Sequence, residues 1–266
     1  MKTACYDLMD FNMAKIIAVS SQKGGVGKTT TAINLSASLA AEGKKVLVID
    51  SDPQASLTFG LGFRKNGEKI KGLYELYTDK AGLEDVLLSP MDNLFIVPSR
   101  IELFMAEVEI FETGEREKKL KSLLDKYRKK FDYIIIDSPP SFSFLTLNVL
   151  VAADSVIIPV QCEQFALEAL RIFIKLLWRI KASFNEALEL EGILLTMYSR
   201  HLTLSRAIAD DIKRVFRSKT FDTVIPRNIA LSEAAMVGKP AIIYSPDATG
   251  AIAYRELAYE MLQKNK

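Results

Sequence analysis

Lys23-Gly24-Gly25-Val26-Gly27-Lys28-Thr29-Thr30 follows the apolar run Ile16-Ile17-Ala18-Val19 and precedes apolar residues at helical spacing, Ala32, Leu35, Leu39 and Ala40. Strand, glycine loop and helix in this order are what a phosphate-binding loop requires. Glycines at 24, 25 and 27 let successive backbone N–H groups turn inward around phosphate oxygens. The N-terminus of the following helix adds positive partial charge. In such a loop Lys28 reaches the β- and γ-phosphates and the Thr29 hydroxyl ligates Mg²⁺, so ATP and Mg²⁺ are the expected ligands.

Outward from the loop, strands and helices alternate. Gly43 ends the first helix, and Lys45-Val-Leu-Val-Ile-Asp50 reads as a buried strand. It delivers Asp50 and Asp52 to the strand's C-terminal end, where open α/β sheets bind ligands, before Pro53 breaks into a turn. Residues 73–77 and 83–88 read as short helices, 94–97 as a strand, and 100–130 as a charged amphipathic helical stretch. Phe131–Asp137 is the next strand, ending in Asp137-Ser-Pro-Pro140. A strand-terminal aspartate is the usual second contributor on the Mg²⁺ side of a phosphate loop, directly or through water.

Further strands are expected at 155–160, 192–197 and 223–225, and helices at 165–183, 203–217, 229–237 and 248–264. The only tryptophan, Trp178, reads as core or interface packing. The whole pattern predicts a doubly wound, mostly parallel sheet with helices on both faces. Residues 14–266 form one domain, preceded by a loosely ordered segment over 1–13.

Composition bounds the function classes. A chain of 266 residues with 49% hydrophobic and 26% charged residues is ordinary for one globular domain, and a net charge of +2 leaves any basic surface local. Cys5 and Cys162 lack metal-ligand spacing, which fits a reducing cytoplasm. No apolar run reaches the roughly 18 residues of a membrane span. The single histidine, His201, sits in a polar stretch, and no Ser/His/Asp nucleophile set competes with the loop.

One departure from the common G-x-x-x-x-G-K-[ST] pattern is informative, because Gln22 stands where glycine is usual and Lys23 follows it. The resulting K-G-G-V-G-K-T-T resembles the deviant loop of the ParA/MinD family of ATPases. The likeness extends through Asp52-Pro-Gln54, Asp137-Ser-Pro-Pro140, Gly192–Met197, Val224–Asn228, Ser232–Ala235, Gly238–Pro240 and Gly250–Tyr254. It is nearer to the chromosomal ParA (Soj-type) branch than to MinD.

The resemblance implies that Lys23 reaches across a two-fold axis into a partner's nucleotide. Val26 and Thr30 join the phosphate clamp by the same likeness, and Pro226, Arg227 and Asn228 lie against the adenine. It also assigns Asp52, in Asp50-Ser-Asp52-Pro-Gln54, to positioning the attacking water, with Asp50 as a supporting carboxylate. A turn-capping role for Asp52 before proline remains the alternative.

The family further implies an ATP-dependent homodimer that binds double-stranded DNA non-specifically and is released by a ParB-type stimulating protein. Between Thr196 and Pro240, eight Lys/Arg face four Asp/Glu. On the 203–217 helix Leu204, Ile208, Ile212, Val215 and Phe216 are the expected buried stripe, while Arg206, Lys213 and Arg217 recur on another face. Arg200 stands where related chains carry a loop arginine, but Ala230 occupies a second such position. These cations also read as a solvated face. A MinD-like or cargo-positioning ATPase on a membrane or protein scaffold is therefore the alternative. Direct membrane binding is not expected, since the sequence stops at Leu262–Lys266, directly after its last core helix.

Overall fold

The computed structural model describes residues 13–63, 70–110, 114 and 116–264; the expected loose segment thus lies outside the described residues, except for Met13. The chain begins β1 (Lys15–Val19), α1 (Lys28–Ala41), β2 (Val46–Asp50), α2 (Ser56–Gly60), α3 (Leu73–Tyr77), α4 (Leu83–Val86), β3 (Leu88–Met91), β4 (Leu94–Val97) and α5 (Leu103–Glu109). It continues with α6 (Lys119–Asp125), β5 (Tyr133–Asp137), α7 (Phe144–Ala152), β6 (Ser155–Gln161), α8 (Ala166–Ser183) and β7 (Glu189–Thr196). The last elements are α9 (Thr203–Phe216), α10 (Ile229–Met236), α11 (Ala241–Tyr244) and α12 (Thr249–Lys264).

The seven strands lie in the order β3-β4-β2-β5-β1-β6-β7, and β3 alone runs antiparallel. Every residue of β2 and β5 is buried, as the near-continuous runs of valine, isoleucine and leucine demand of strands covered on both faces. Alternate residues feed opposite layers. Ile16, Leu47, Ile49, Ile134 and Ile136 pack with α7 and α8, while Ile17, Val46, Val48 and Ile135 pack with α1 and α12. Helix α1 is buried from Thr31 to Ala40, on all sides. Its alanines and serines let it sit between the sheet and α12, where the Thr31 and Tyr254 hydroxyls meet at 3.0 Å.

Several expectations needed correction. The 83–88 helix stops at Val86, and Leu88 already belongs to the edge strand β3. The charged 100–130 stretch is two short helices and 3₁₀ turns, because its apolar spacing does not persist across them. Residues 223–225 form no strand; bridges Ile193↔Thr220 and Tyr198↔Pro226 instead lay this segment along β7. Helices α2, α7 and α11 were not anticipated. Trp178 is 63% exposed, so it is not core. On α9, Leu204 and Val215 are exposed and the buried positions are Ser205, Ala209 and Ile212, with Ile208 and Phe216 partly covered.

Candidate nucleotide site

Parallel register brings the candidate residues together. Val19 at the end of β1 pairs with Asp137 at the end of β5, and Asp137 pairs in turn with Asp50 at the end of β2. The loop 20–27 therefore leaves the sheet beside two strand-terminal carboxylates, at the edge where open α/β sheets take ligands.

The loop is shaped for an occupant. A Cβ on Gly24 or Gly25 would meet nothing within 4 Å, so the space beside these two glycines is open. Gly25 at φ +73° and Gly27 at φ +92° adopt the left-handed region that turns their amides. Gly27 is also the N-cap of α1 and carries no side chain to satisfy the helix's first amides. Those amides are free for an anion. From the far edge of the sheet, the buried Thr196 hydroxyl donates to the Val26 carbonyl at 2.8 Å and pins the loop's shape.

Lys28 is buried at the first turn of α1, and its ammonium donates to the Lys23 carbonyl at 3.0 Å. Burial lowers its pKa, while the carboxylates of Asp137 and Asp52 pull it back up. The Thr29 hydroxyl donates to Asp137 Oδ2 at 2.7 Å. Asp137 is fully buried, and its pKa is raised well above the carboxylate range by burial and by neighbouring Asp50, against the opposing pull of Thr29 and Lys28. Its second oxygen, Oδ1, is buried without a hydrogen-bond partner.

An orphaned carboxylate oxygen beside a threonine hydroxyl is a hard-oxygen donor pair that fits Mg²⁺. Among the described residues no three His, Cys, Asp or Glu side chains gather as a metal cage. A cation here would therefore be completed by phosphate oxygens and water.

Asp50 is fully buried and accepts from the Thr58 amide at 2.8 Å, the Thr58 hydroxyl at 2.7 Å and the Asp52 amide at 3.2 Å. Burial pushes its pKa up to about 6, against these hydrogen bonds. Asp50 thus ties α2 and the Asp52 turn to the sheet. Asp52 is half-buried, and its Oδ1 accepts from the Gln54 amide at 2.9 Å, so it does cap its turn. Its other oxygen has no protein partner among the described residues.

Lys23 is exposed beside the loop and forms an ion pair with Glu163, in the turn between β6 and α8. Thr30 gives its carbonyl to the Asn34 side chain at 2.8 Å, and Asn34 in turn accepts from the Ala241 amide at 2.7 Å. Pro226 bridges to Tyr198 just beyond β7, and the Arg227 amide donates to the Tyr198 carbonyl at 3.3 Å. The Asn228 side chain caps α10 by accepting from the Ala230 amide and donates to Thr249 at 2.8 Å.

Arg200, Arg206, Lys213 and Arg217 are exposed on α9 and its flanking turns, apart from the loop. Thr196, Thr58 and Glu163 were missed. Each acts across more than one element, and only Thr58, eight residues beyond Asp50 on one short helix, offered a local signal.

A family model described as an AAA domain matches residues 14–190. The sporulation initiation inhibitor protein Soj of Bacillus subtilis is 45% identical over 250 residues, covering 94% of this chain and 98% of the relative. The chromosome partitioning protein ParA of Caulobacter vibrioides is 40% identical over 261 residues, covering 97% of each. The chain is a ParA/Soj-family ATPase.

Solved structures share the fold of this ParA/Soj chain over nearly its whole length. A Mycobacterium smegmatis structure described as cobyrinic acid a,c-diamide synthase with bound ATP analog and magnesium superposes with TM-score 0.83 at 34% identity, covering 95% of this chain and 96% of that one. The Pyrococcus furiosus cell division ATPase MinD gives TM-score 0.76 at 27% identity, over 96% of this chain and all of that one.

Proposed function

We propose that this ParA/Soj chain is an ATP-driven dimerisation switch with slow hydrolysis that binds DNA non-specifically as the ATP dimer. The observation that carries the nucleotide half is the Thr29–Asp137 pair, with its orphaned Oδ1 beneath an open glycine loop. Bound Mg²⁺ would neutralise phosphate charge there. The amides of residues 24–30 cradle the phosphates, with Lys28 drawn in among them and Val26 held in place by Thr196. Pro226 and Arg227 offer backbone to the adenine, and Asn228 joins them through its backbone because its side chain is engaged elsewhere.

Lys23, exposed beside the loop, leaves Glu163 to contact the phosphates of a second copy, so the triphosphate bridges two protomers. Asp52 uses its unpartnered oxygen to orient the attacking water. Hydrolysis removes the γ-phosphate contacts and releases the dimer, a step accelerated by a ParB-type partner. Arg200, Arg206, Lys213 and Arg217, doubled by the dimer, meet phosphates without reading bases.

The test is a titration of nonspecific duplex at rising salt with ATP, ADP or no nucleotide. Binding confined to ATP and falling steeply with salt supports the reading. Failure to bind at low salt with dimers intact transfers it to a cargo-positioning ATPase acting on a protein scaffold.

A further inference from the structure

Residues at the sheet rim opposite the phosphate loop frame a groove of about 320 Å³ between the C-terminal parts of α8 and α9. Its apolar wall is Ile174, Leu177 and Trp178 from α8, Leu188 and Leu190 at the start of β7, and Phe216 from α9. The strand β7 runs from this groove to Thr196 at the loop, about 23 Å away at strand rise. The nucleotide site has no use for these residues, yet Trp178 leaves 63% of its surface in water. A large exposed aromatic over an apolar floor is the composition of a binding anchor.

The rim is strongly basic. Lys181 and Lys219 line the groove against a single acid, Glu189, and the surrounding residues 175–181, 186–190 and 213–219 together hold seven Lys/Arg against two Glu. Of the seven, Arg214 is paired with Asp211, and Lys175, Arg179, Lys213, Arg217 and Lys219 are exposed. A second copy presenting the same face would meet like charge, which disfavours self-association here. Lys213 and Arg217 are shared with the proposed DNA face, but a nucleic acid would satisfy only the cations and leave the apolar floor unused.

Nor does the groove suit an added strand. The carbonyls of Leu188 and Leu190 are already taken by the Lys181 and Lys219 ammonium groups, at 2.8 and 3.4 Å. What remains is side-chain docking between two helices, the geometry in which an amphipathic helix lays apolar residues at i, i+3/i+4 and i+7 into a groove.

We propose that this groove is a docking site for an acidic amphipathic helix of a partner protein, with Trp178 as its anchor. The site stands apart from the nucleotide reading and binds with or without ATP.

Trp178 is the chain's sole tryptophan, so its emission reports the groove directly. The experiment titrates the full chain, in ADP, with a synthetic amphipathic helix carrying leucines on one face and glutamates on the other. The expected result is a saturable Trp178 shift. It should weaken at least about tenfold in the surface variant Lys175→Glu/Lys219→Glu. Circular dichroism and ADP affinity of that variant should match wild type, which separates loss of the groove from loss of the fold.

Calorimetry with Trp178→Ala, in which binding should also weaken about tenfold, gives a readout independent of the fluorophore. The proposal is overturned by no saturable shift up to about 1 mM. It is equally overturned if a lysine-faced or a leucine-free acidic peptide binds as well, or if a nonspecific duplex alone reproduces the shift. ADP affinity is read in the same samples, so a failed groove and a failed nucleotide site give different results.

Discussion

Asp137→Asn separates function from stability at one atom. In the wild type Asp137 is fully buried beside Asp50, and both carboxyl groups are pushed toward the neutral form. Asparagine has the same shape, and its carbonyl oxygen can still accept the Thr29 hydroxyl, which now donates to Oδ2 at 2.7 Å. What disappears is a charge that opposes folding whenever it is present.

Relief of one buried like-charge contact and its desolvation should therefore stabilise the nucleotide-free variant, at pH values above the ordinary carboxylate range, by about 1–3 kcal/mol. For a domain of this size that is a rise of about 2–10 °C in Tm. Nucleotide binding should move the other way. With the anionic oxygen next to Thr29 gone, the Mg²⁺-dependent part of ATP affinity should fall about 10–100-fold, as for loss of other groups that orient metal ligands. ADP binding in EDTA should change little. Calorimetric unfolding without ligand and a fluorescent-nucleotide titration with and without Mg²⁺ measure the two halves. A variant that loses more than about 2 kcal/mol of stability, or keeps the full Mg²⁺ effect, would refute the assignment of Asp137.

Three further outcomes follow from the same geometry. Thr196→Val removes the hydroxyl that holds the Val26 carbonyl, so it should cost about 1–3 kcal/mol in denaturant unfolding and weaken ATP binding, with Thr196→Ser restoring both. Glu163→Gln frees Lys23 from an ion pair whose side chains are 45% and 37% exposed. Because exposed pairs contribute only about 0.2–1 kcal/mol, the ATP concentration for half-maximal dimer should drop no more than about fivefold by light scattering. Asp50 titrates near 6 rather than at the ordinary 3.8, so its charge opposes folding fully above pH 6 and not at all below pH 4. Between pH 7 and pH 4, wild type should gain about 3 kcal/mol relative to Asp50→Asn in urea unfolding, and a pH-independent difference would show that Asp50 is not held as described.

How far the sequence could be read follows from the range of the interactions. Strand β1, the glycine loop and α1 are adjacent in the chain, so local pattern sufficed to place the glycine turn between strand and helix, with Lys28 and Thr29 in the first turn of α1. The strand-end aspartates were equally legible, because parallel register aligns Val19, Asp137 and Asp50 once the order of strands is right. Thr196 on Val26 joins residues 170 positions apart, and nothing near either residue announces it. Helix α7 was missed because Phe144–Ala152 is apolar almost all round, leaving no period to detect. On α9 the expected stripe was one of two that its spacing allows. Ile212 is buried as expected, but exposed Leu204 and Val215 show that packing selected Ser205 and Ala209 beside it, since small residues let the helix approach α8 closely.

In the proposed switch, a triphosphate seated on residues 24–30 joins two copies of the chain. Light scattering of the wild type and of Lys23→Ala, each saturated with ATP and Mg²⁺, tests it most directly. The wild type should show a mass near twice 29.7 kDa, and Lys23→Ala a single-chain mass with ATP still bound. Equal dimerisation of the two proteins, or a wild type that stays at single-chain mass with ATP bound, would contradict it.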